Sequence, residues 1–439
     1  MTGPVNNVTT QSAALAPPGP SLPSASKPKS FIPPDYQIIP KAKSSRSRGK
    51  GPENWLPYYA GFSADFVSII LNLLSLDSTS LVFDPFAGSG TTNLACKCAG
   101  IPSIGLELNP VAYVVSNAKL TWDLDESEIM RQIEGLDPSK LGNSSAIQKA
   151  AFEKVPLNDS MEYLLNAGQR LIALDGNTRF FLLAAAIETL RILSDHDKRS
   201  NPTWPMLRPR SVTPRTTHQV LTQIAEDRLS QFDKYENNSE CPSSVEYADA
   251  SNYDPAFKAD AIITSPPYLN RLDYIMNFSL ENSYLVALGF PIATTMDELR
   301  RRMIGTVKVG DKTTPKSEWG RKCSQLLNAV KHHPSRAAES YYFKTLLQYF
   351  DRLYECIGMF HRALGTDGVC FMVVRSSYFK NLEIPLASIV REMATEVGFA
   401  EVSFVRQDSI RSHLGRMDPD QRKWVLDKSL VENVILMRR

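Results

Sequence analysis

The sequence predicts an open α/β fold, a mostly parallel sheet flanked by helices, with the ligand site at the strand ends. Three observations carry that expectation. Leu81-Val-Phe-Asp84 reads as a short buried strand, and Pro85-Phe86-Ala-Gly88-Ser-Gly90-Thr91-Thr92 then turns sharply into a helix. Ala259-Asp-Ala-Ile-Ile-Thr264 is a second strand-like run, stopped by Ser265-Pro266-Pro267-Tyr268. Val369-Cys-Phe-Met-Val-Val-Arg375 is nearly all apolar, as expected of a central strand buried on both faces.

At the first strand end, Gly88 and Gly90 let the backbone bend and approach a ligand closely. Thr91 and Thr92 open the helix, whose N-terminus presents unpaired N–H groups. The composition of the turn argues against a phosphate ligand. A phosphate-gripping loop needs Lys and then Ser or Thr after its last glycine, and here Thr91 follows Gly90 directly. The dinucleotide pattern would need glycine where Asn93 stands. Carboxylates flank the turn instead: Asp84 before it, and Glu107 at the end of the next strand, Ser103-Ile-Gly-Leu-Glu107. Acidic groups there suit ribose hydroxyls and a cationic group better than a pyrophosphate.

This stretch resembles the first motif of the S-adenosylmethionine-dependent amino-methyltransferases of DNA, which reads like DPFAGSGTT. The resemblance implies a Rossmann-like methyltransferase fold, with S-adenosyl-L-methionine held by Asp84, Phe86, Gly88, Gly90, Thr91, Thr92 and Glu107. Upstream, Pro57-Tyr58-Tyr-Ala-Gly61-Phe62 is similar to the family's PYxAxF segment, which lies along the methionine end of the cofactor. The chain departs from the subgroup's form at Gly61, where Lys is usual, and at Leu56, where His is usual. Tyr58 and Phe62 are thus either cofactor contacts or core aromatics. Asp249, after the strand-like Val245-Glu-Tyr-Ala, stands where the family carries an acid for the adenine amino group, and a turn-capping role fits it as well.

Ser265-Pro266-Pro267-Tyr268 is the most specific sequence in the chain. Consecutive prolines fix φ and lack N–H, so they hold the carbonyls of Ser265 and Pro266 outward at the strand end. A rigid carbonyl and a hydroxyl can accept both hydrogens of an exocyclic amine, while Tyr268 offers a flat surface for an extruded base. An aryl amine is a weak nucleophile because its lone pair is delocalised. Holding its hydrogens on two acceptors favours a pyramidal nitrogen and aims the lone pair, so in-line methyl transfer needs only positioning and electrostatics. Carbon-5 methylation of cytosine would need a Cys nucleophile, typically after Pro, and the sequence contains no Pro-Cys pair.

In the resembling families, Ser at the first position of this tetrapeptide is typical of cytosine-N4 methylation. The implied activity is therefore base flipping and direct transfer to cytosine N4 in double-stranded DNA, with a cognate restriction endonuclease acting on the same site. Asp or Asn at that position marks adenine-N6 or RNA guanine-N2 enzymes, which remain the alternatives. Similarity to one cytosine-N4 branch continues through Tyr268-Leu-Asn270-Arg271-Leu-Asp273-Tyr274, Glu281, Leu288-Gly289 and Arg301-Arg302-Met-Ile-Gly305-Thr306. Arg271 and Asp273 would order the pocket or form a plain salt-bridged loop.

The remainder of the chain divides around this core. Met1 to about Gly51 is rich in Pro, Ser, Ala and Gly and is expected to be disordered. Its cluster of Lys41, Lys43, Arg46, Arg48 and Lys50 suits a phosphate-holding arm or a solvated tail. Residues 52–439 form the methyltransferase domain, with a helical insertion at about 121–244 and a basic one at about 285–340 that is a candidate DNA-recognition loop. The first insertion ends in a basic loop carrying Lys198, Arg199, Arg208, Arg210 and Arg215. A helix is expected from Ser63, its N-cap, to about Leu74, another from Tyr342 to Leu364, and a terminal antiparallel pair at 401–406 and 430–437.

Composition excludes several classes. No apolar run reaches the ~20 residues that span a bilayer. The N-terminus lacks a basic-then-apolar signal, so a cytoplasmic location with no membrane partner is expected. The six cysteines show no CxxC pairing and the six histidines complete no zinc pattern, so no metal is implied. The net charge of +2 gives no global attraction for nucleic acid, so any DNA surface must come from local clustering.

Overall fold

The computed structural model describes residues 39–42, 51–56, 62–141, 157–196, 207–234, 240–269, 273–290, 295–306, 313–410 and 430–439. The chain begins with α1 (Ala64–Leu73), β1 (Val82–Asp84), α2 (Thr91–Cys98), β2 (Ser103–Glu107) and α3 (Pro110–Lys119). A mainly helical block follows: α4 (Glu126–Gly135), α5 (Asp159–Ile172), α6 (Gly176–Ile192), β3 (Ser194–His196), β4 (Leu207–Pro209) and α7 (Pro214–Leu229). Next come β5 (Ser243–Tyr247), β6 (Ala259–Thr264), α8 (Ser279–Ala287), α9 (Met296–Arg302) and α10 (Gly320–Lys331). The chain closes with α11 (Lys344–Ala363), β7 (Leu364–Arg375), β8 (Ser377–Phe379), β9 (Leu382–Ile384), α12 (Leu386–Val397), β10 (Glu401–Ile410) and β11 (Leu430–Arg438).

Seven strands form one sheet in the order β10-β11-β7-β6-β1-β2-β5. All run in the same direction except β11, which is antiparallel to both its neighbours, β7 and β10. This is a Rossmann-like arrangement, and the expected terminal antiparallel pair is present. The chain leaves β1 toward β2 and β5 on one side, then returns to β6 on the other. The connections therefore diverge between β1 and β6, where the crevice of such a sheet takes its ligand.

Residue alternation along the strands builds two cores. Val82, Ala261, Ile263, Phe371 and Val373 face α1 and α2 with Phe66, Val67 and Ile70. Phe83, Ile262, Cys370, Met372 and Val374 face the other layer, α10, α11 and α12. Burial on both faces explains why these strands read as continuous apolar runs. A third core joins α3 to the helical insertion, where α6 is apolar all round because α3, α5 and α7 enclose it.

The local expectations are largely met. The Ser63 side chain caps α1 by accepting from the Phe66 N–H. The helix expected over Tyr342–Leu364 is α11, entered through a π-helical turn at Ala338–Phe343. Residues 365–368 bulge out of the β6–β7 pairing, which steps from Ala259↔Leu364 to Ala261↔Val369.

The arm expected to be disordered over 1–51 needs correction at one place. Ile39 and Ala42 are buried in the α1 core, the Ala42 carbonyl accepts from the Ser63 N–H at 2.8 Å, and the Arg406 guanidinium donates to the Ile39 carbonyl. Two apolar side chains with a satisfied backbone suffice to seat this segment, which composition averaged over fifty residues conceals. Residues 1–38 and 43–50, with the basic cluster from Lys43 onward, lie outside the described residues. Of the basic loop expected after α6, Arg208 lies on β4, which pairs with β3, and Arg215 lies in the first turn of α7, while Lys198 and Arg199 lie outside the described residues.

Candidate active site

A cleft opens over the carboxyl ends of β6, β1, β2 and β5. Asp84, Phe86, Gly88 and Thr91 line it from β1 and the turn, Glu107 from β2, Asp249 from beyond β5, and Phe62 from the segment before α1. Ser265, Pro266 and Pro267 line it from the end of β6. Two stretches separated by more than 170 residues in the chain thus share one wall, because β1 and β6 are neighbours.

The crevice is fastened across those two strands. The Thr264 hydroxyl donates to Asp84 Oδ1 at 2.6 Å, and the Phe86 N–H donates to the same oxygen at 3.1 Å. Asp84 thereby fixes both the start of the glycine turn and the residue before Ser265. In the turn, Gly88 and Gly90 have φ of +54° and +78°, the left-handed region that favours glycine. A Cβ at Gly90 would also stand 2.9 Å from Ser116 Cβ. Beneath the turn, the buried Lys119 ammonium donates to the Ser89 carbonyl at 2.8 Å, and burial pushes its pKa down to about 7.

Glu107 closes the far side. One carboxylate oxygen, Oε1, accepts from the N–H groups of Leu108 (2.9 Å) and Asn109 (2.6 Å), which sets the orientation of the group at the strand end. Asp249 does cap its own turn, accepting from the Ser251 N–H at 3.0 Å and hydroxyl at 2.7 Å through Oδ1, while also lining the cleft. The two readings open for Asp249 are therefore compatible.

Three expected site residues do not line the cleft. Thr92 is fully buried and its hydroxyl donates to the Ile263 carbonyl, so it ties α2 to β6 instead. Gly90 acts through backbone shape as the N-cap of α2. Tyr268 is only 4 % exposed, and its hydroxyl has no hydrogen-bond partner among the described residues, so its ring shows no open stacking face here. The backbone there is pinned as the chain leaves the cleft: the Tyr268 N–H reaches the Tyr274 hydroxyl at 3.4 Å, and the Tyr349 hydroxyl of α11 donates to the Pro267 carbonyl at 2.9 Å. Tyr58 and Arg271 lie outside the described residues.

Tyr274, Arg302, Met303 and Ile304, which the sequence shows only as parts of segments similar to one family branch, also line the cleft. The triplet Arg300-Arg301-Arg302 reads as part of a DNA-facing basic run, yet two of its members turn inward. Arg300 pairs with the buried Asp273 at 2.8 Å, and Arg302 faces the cleft and the Tyr247 ring. Further along the same run, Lys316 pairs with Asp351 at 2.7 Å. Asp273 thus pairs with Arg300, a residue 27 positions on, while Arg271 lies outside the described residues.

A parallel sheet with one reversed strand, a glycine turn at the divergence point and two carboxylates beside it define a Rossmann-like scaffold with a ligand cleft at its strand ends. Residues 36–117 match the N6/N4 methyltransferase family model, described as DNA methylase. Three curated relatives agree. The type II methyltransferase M.BsoBI of Geobacillus stearothermophilus is 25% identical over 274 residues, covering 54% of this chain and 53% of that protein. M.AvaI of a Nostoc species is 23% identical, covering 80% of both chains. M.MvaI of Kocuria varians is 23% identical, covering 81% of this chain and 83% of its own. The first match thus spans about half the length of that relative, the others about four fifths. By these matches the chain is similar to DNA amino-methyltransferases, a class whose methyl donor is S-adenosyl-L-methionine.

The cleft fits that cofactor. The left-handed glycines leave room for close backbone approach, the fixed Glu107 carboxylate is able to accept from a ribose diol, and the acidic lining suits a cationic ligand. Burial raises the Asp84 carboxyl to about 6 and Glu107 to about 7, against hydrogen bonds that pull each downward. Both groups bind protons more tightly in the folded protein than in the unfolded chain, and a cation in the cleft favours their ionised forms. Binding therefore releases protons. Affinity for S-adenosylmethionine is expected to be full near about pH 8 and to fall as pH drops through about 7 and then 6, by up to about tenfold per unit for each proton released. Calorimetric titration across that range checks it, and Glu107→Gln should flatten the upper step while weakening binding throughout. A pH-independent affinity in the unmodified protein would contradict the linkage.

Among the described residues, no three His, Cys, Asp or Glu side chains converge as a metal-binding group, and no helix is long and apolar enough to cross a membrane.

Proposed function

We propose that the protein is a site-specific DNA methyltransferase that transfers a methyl group from S-adenosyl-L-methionine to the exocyclic N4 amine of cytosine in double-stranded DNA. The observation that carries this reading is the placement of Ser265, Pro266 and Pro267 on the same cleft as Gly88, Glu107 and Asp249. When bound, the cofactor supplies an electrophilic methyl on a sulfonium sulfur. The residues of this chain do the positioning. The Ser265 hydroxyl and one rigid carbonyl of the Ser265–Pro266 pair accept the two amine hydrogens, and the adjacent proline rings hold that carbonyl still. Tyr349 keeps the Pro267 carbonyl occupied, so the rigid segment ends in a satisfied bond rather than a loose one. The nitrogen attacks in line and gives up one proton to water, with no covalent enzyme intermediate.

The target base has to leave the duplex to reach a strand-end cleft, which costs unpairing and unstacking energy of about a few kcal/mol. Tyr268 is the residue we assign to stacking against it. That assignment requires the ring to become accessible when DNA binds, and its unpartnered hydroxyl makes the buried position a costly one to hold. Cytosine N4 is preferred over adenine N6 because Ser, rather than Asp or Asn, heads the tetrapeptide. The names of the type II relatives favour a role in a restriction–modification system, with a cognate endonuclease acting on the same site.

The test is methylation of a mixed-sequence plasmid with labelled S-adenosylmethionine, followed by nucleoside analysis of the digest. N4-methylcytosine is the expected product. N6-methyladenine would keep the fold and the chemistry but overturn the inference from Ser265. Label absent from DNA and present in tRNA guanine would replace the substrate.

A further inference from the structure

The cleft has a direction, set by the sheet order β6-β1-β2-β5. Ser265 and Pro266 stand at the β6 end, where the amine must meet the methyl group. Glu107 and Asp249 stand at the β2–β5 end, so the nucleoside portion of the cofactor lies there. At that end the second insertion contributes a cation. Arg302, the last residue of α9, lines the cleft with its guanidinium 5.7 Å from the centroid of the Tyr247 ring, and Tyr247 is the register partner of Glu107. The backbone of Arg302 is held from outside: the Arg352 guanidinium on α11 donates to the carbonyls of Arg301 and Arg302. Arg300, two residues earlier, is anchored to Asp273 at 2.8 Å. The segment is thus clamped on both sides of the cleft wall, and among the described residues no carboxylate lies within salt-bridge distance of Arg302.

We propose that Arg302 is a cofactor-binding residue, its guanidinium lying against the adenine ring at the β2–β5 end of the cleft. The inference rests on the methyltransferase reading above. A planar cation already seated beside one aromatic ring suits the π-face of a second, and a neutral heterocycle can enter there without adding charge. The opposite end, with Asp84 and no arginine in its lining, is left for the cationic part of the ligand. The basic insertion then completes the cofactor site rather than serving DNA alone, and Arg300 links that wall to the segment following the Ser-Pro-Pro-Tyr tetrapeptide.

The experiment is calorimetric titration of the unmodified protein, Arg302→Met and Arg302→Lys with S-adenosylhomocysteine and with 5′-methylthioadenosine, which keeps the nucleoside and lacks the amino-acid end. Arg302→Met should weaken both ligands by the same factor, about fivefold or more, and Arg302→Lys should recover part of the loss. The melting temperature without ligand and the affinity for DNA without cofactor should not change. Unaltered affinity for both ligands in Arg302→Met overturns the inference and leaves the proposed function standing. Loss confined to S-adenosylhomocysteine overturns it too, because the contact would then lie at the amino-acid end. Failure of the unmodified protein to bind either ligand overturns the methyltransferase reading itself.

Discussion

Replacing Ser265 by alanine is expected to lower the turnover number for methyl transfer about a hundredfold, with little change in affinity for S-adenosylmethionine. The magnitude follows from removing one preorganised hydrogen-bonding group from the reacting nitrogen. Ser265 is only partly buried, so its hydroxyl is reachable by a base, and it follows directly on Thr264, whose bond to Asp84 survives the substitution. The cofactor end of the cleft should therefore be untouched. Single-turnover rates with DNA in excess, set beside calorimetric cofactor binding, separate the two quantities. An unchanged single-turnover rate would remove Ser265 from the base-positioning role. A parallel loss of cofactor affinity would show that the side chain supports the fold of the cleft instead.

The largest effect on stability is expected at Arg191. This residue of α6 pairs with Glu281 of α8 and lies over the Phe278 ring at 5.4 Å, joining the helical insertion to the segment that follows β6. The Glu281 side chain is 1 % exposed, and burial raises its pKa while the Arg191 charge opposes that rise. Arg191→Ala leaves a buried carboxylate without its counter-ion, which costs about 3 kcal/mol, at the low end for buried pairs because Arg191 is itself partly exposed. The sign with pH is fixed. With Arg191 gone, the folded protein holds the Glu281 proton still more tightly than the unfolded chain does. The deficit is therefore largest where Glu281 must ionise and shrinks as pH falls. Denaturant unfolding at neutral and acid pH measures it, and adding Glu281→Gln to the variant should recover most of the loss. A deficit that does not depend on pH would mean that packing against Phe278, and not the buried charge, is what Arg191 contributes.

The sequence by itself determined the elements that depend on neighbours in the chain. The strand ending at Asp84, the sharp glycine turn, the helix opened by Thr91 and the Ser63 cap are local matters of φ, hydrogen bonding and alternation, and all are found as read. The reversed final strand followed from two alternating runs at the end of the chain. The pairing of the glycine turn with Ser265–Pro267 was inferred from their shared position at strand ends.

Tertiary structure alone decided which side chains reach the cleft. Thr92 and Tyr268 stand within motifs that point to the site, yet packing turns the first into the β6 contact and buries the second, because burial depends on partners far away in sequence. Arg300 and Arg302 read as surface charge, since a run of basic residues gives no sign of the buried Asp273 or of the Tyr247 ring that waits for it. Ile39 and Ala42 read as part of a featureless arm because the surface that receives them is built by α1 and by strands more than three hundred residues away. Local propensity is written in consecutive residues, whereas the choice between solvent and cavity for a charged side chain is made by whatever carboxylate, ring or carbonyl the fold brings beside it.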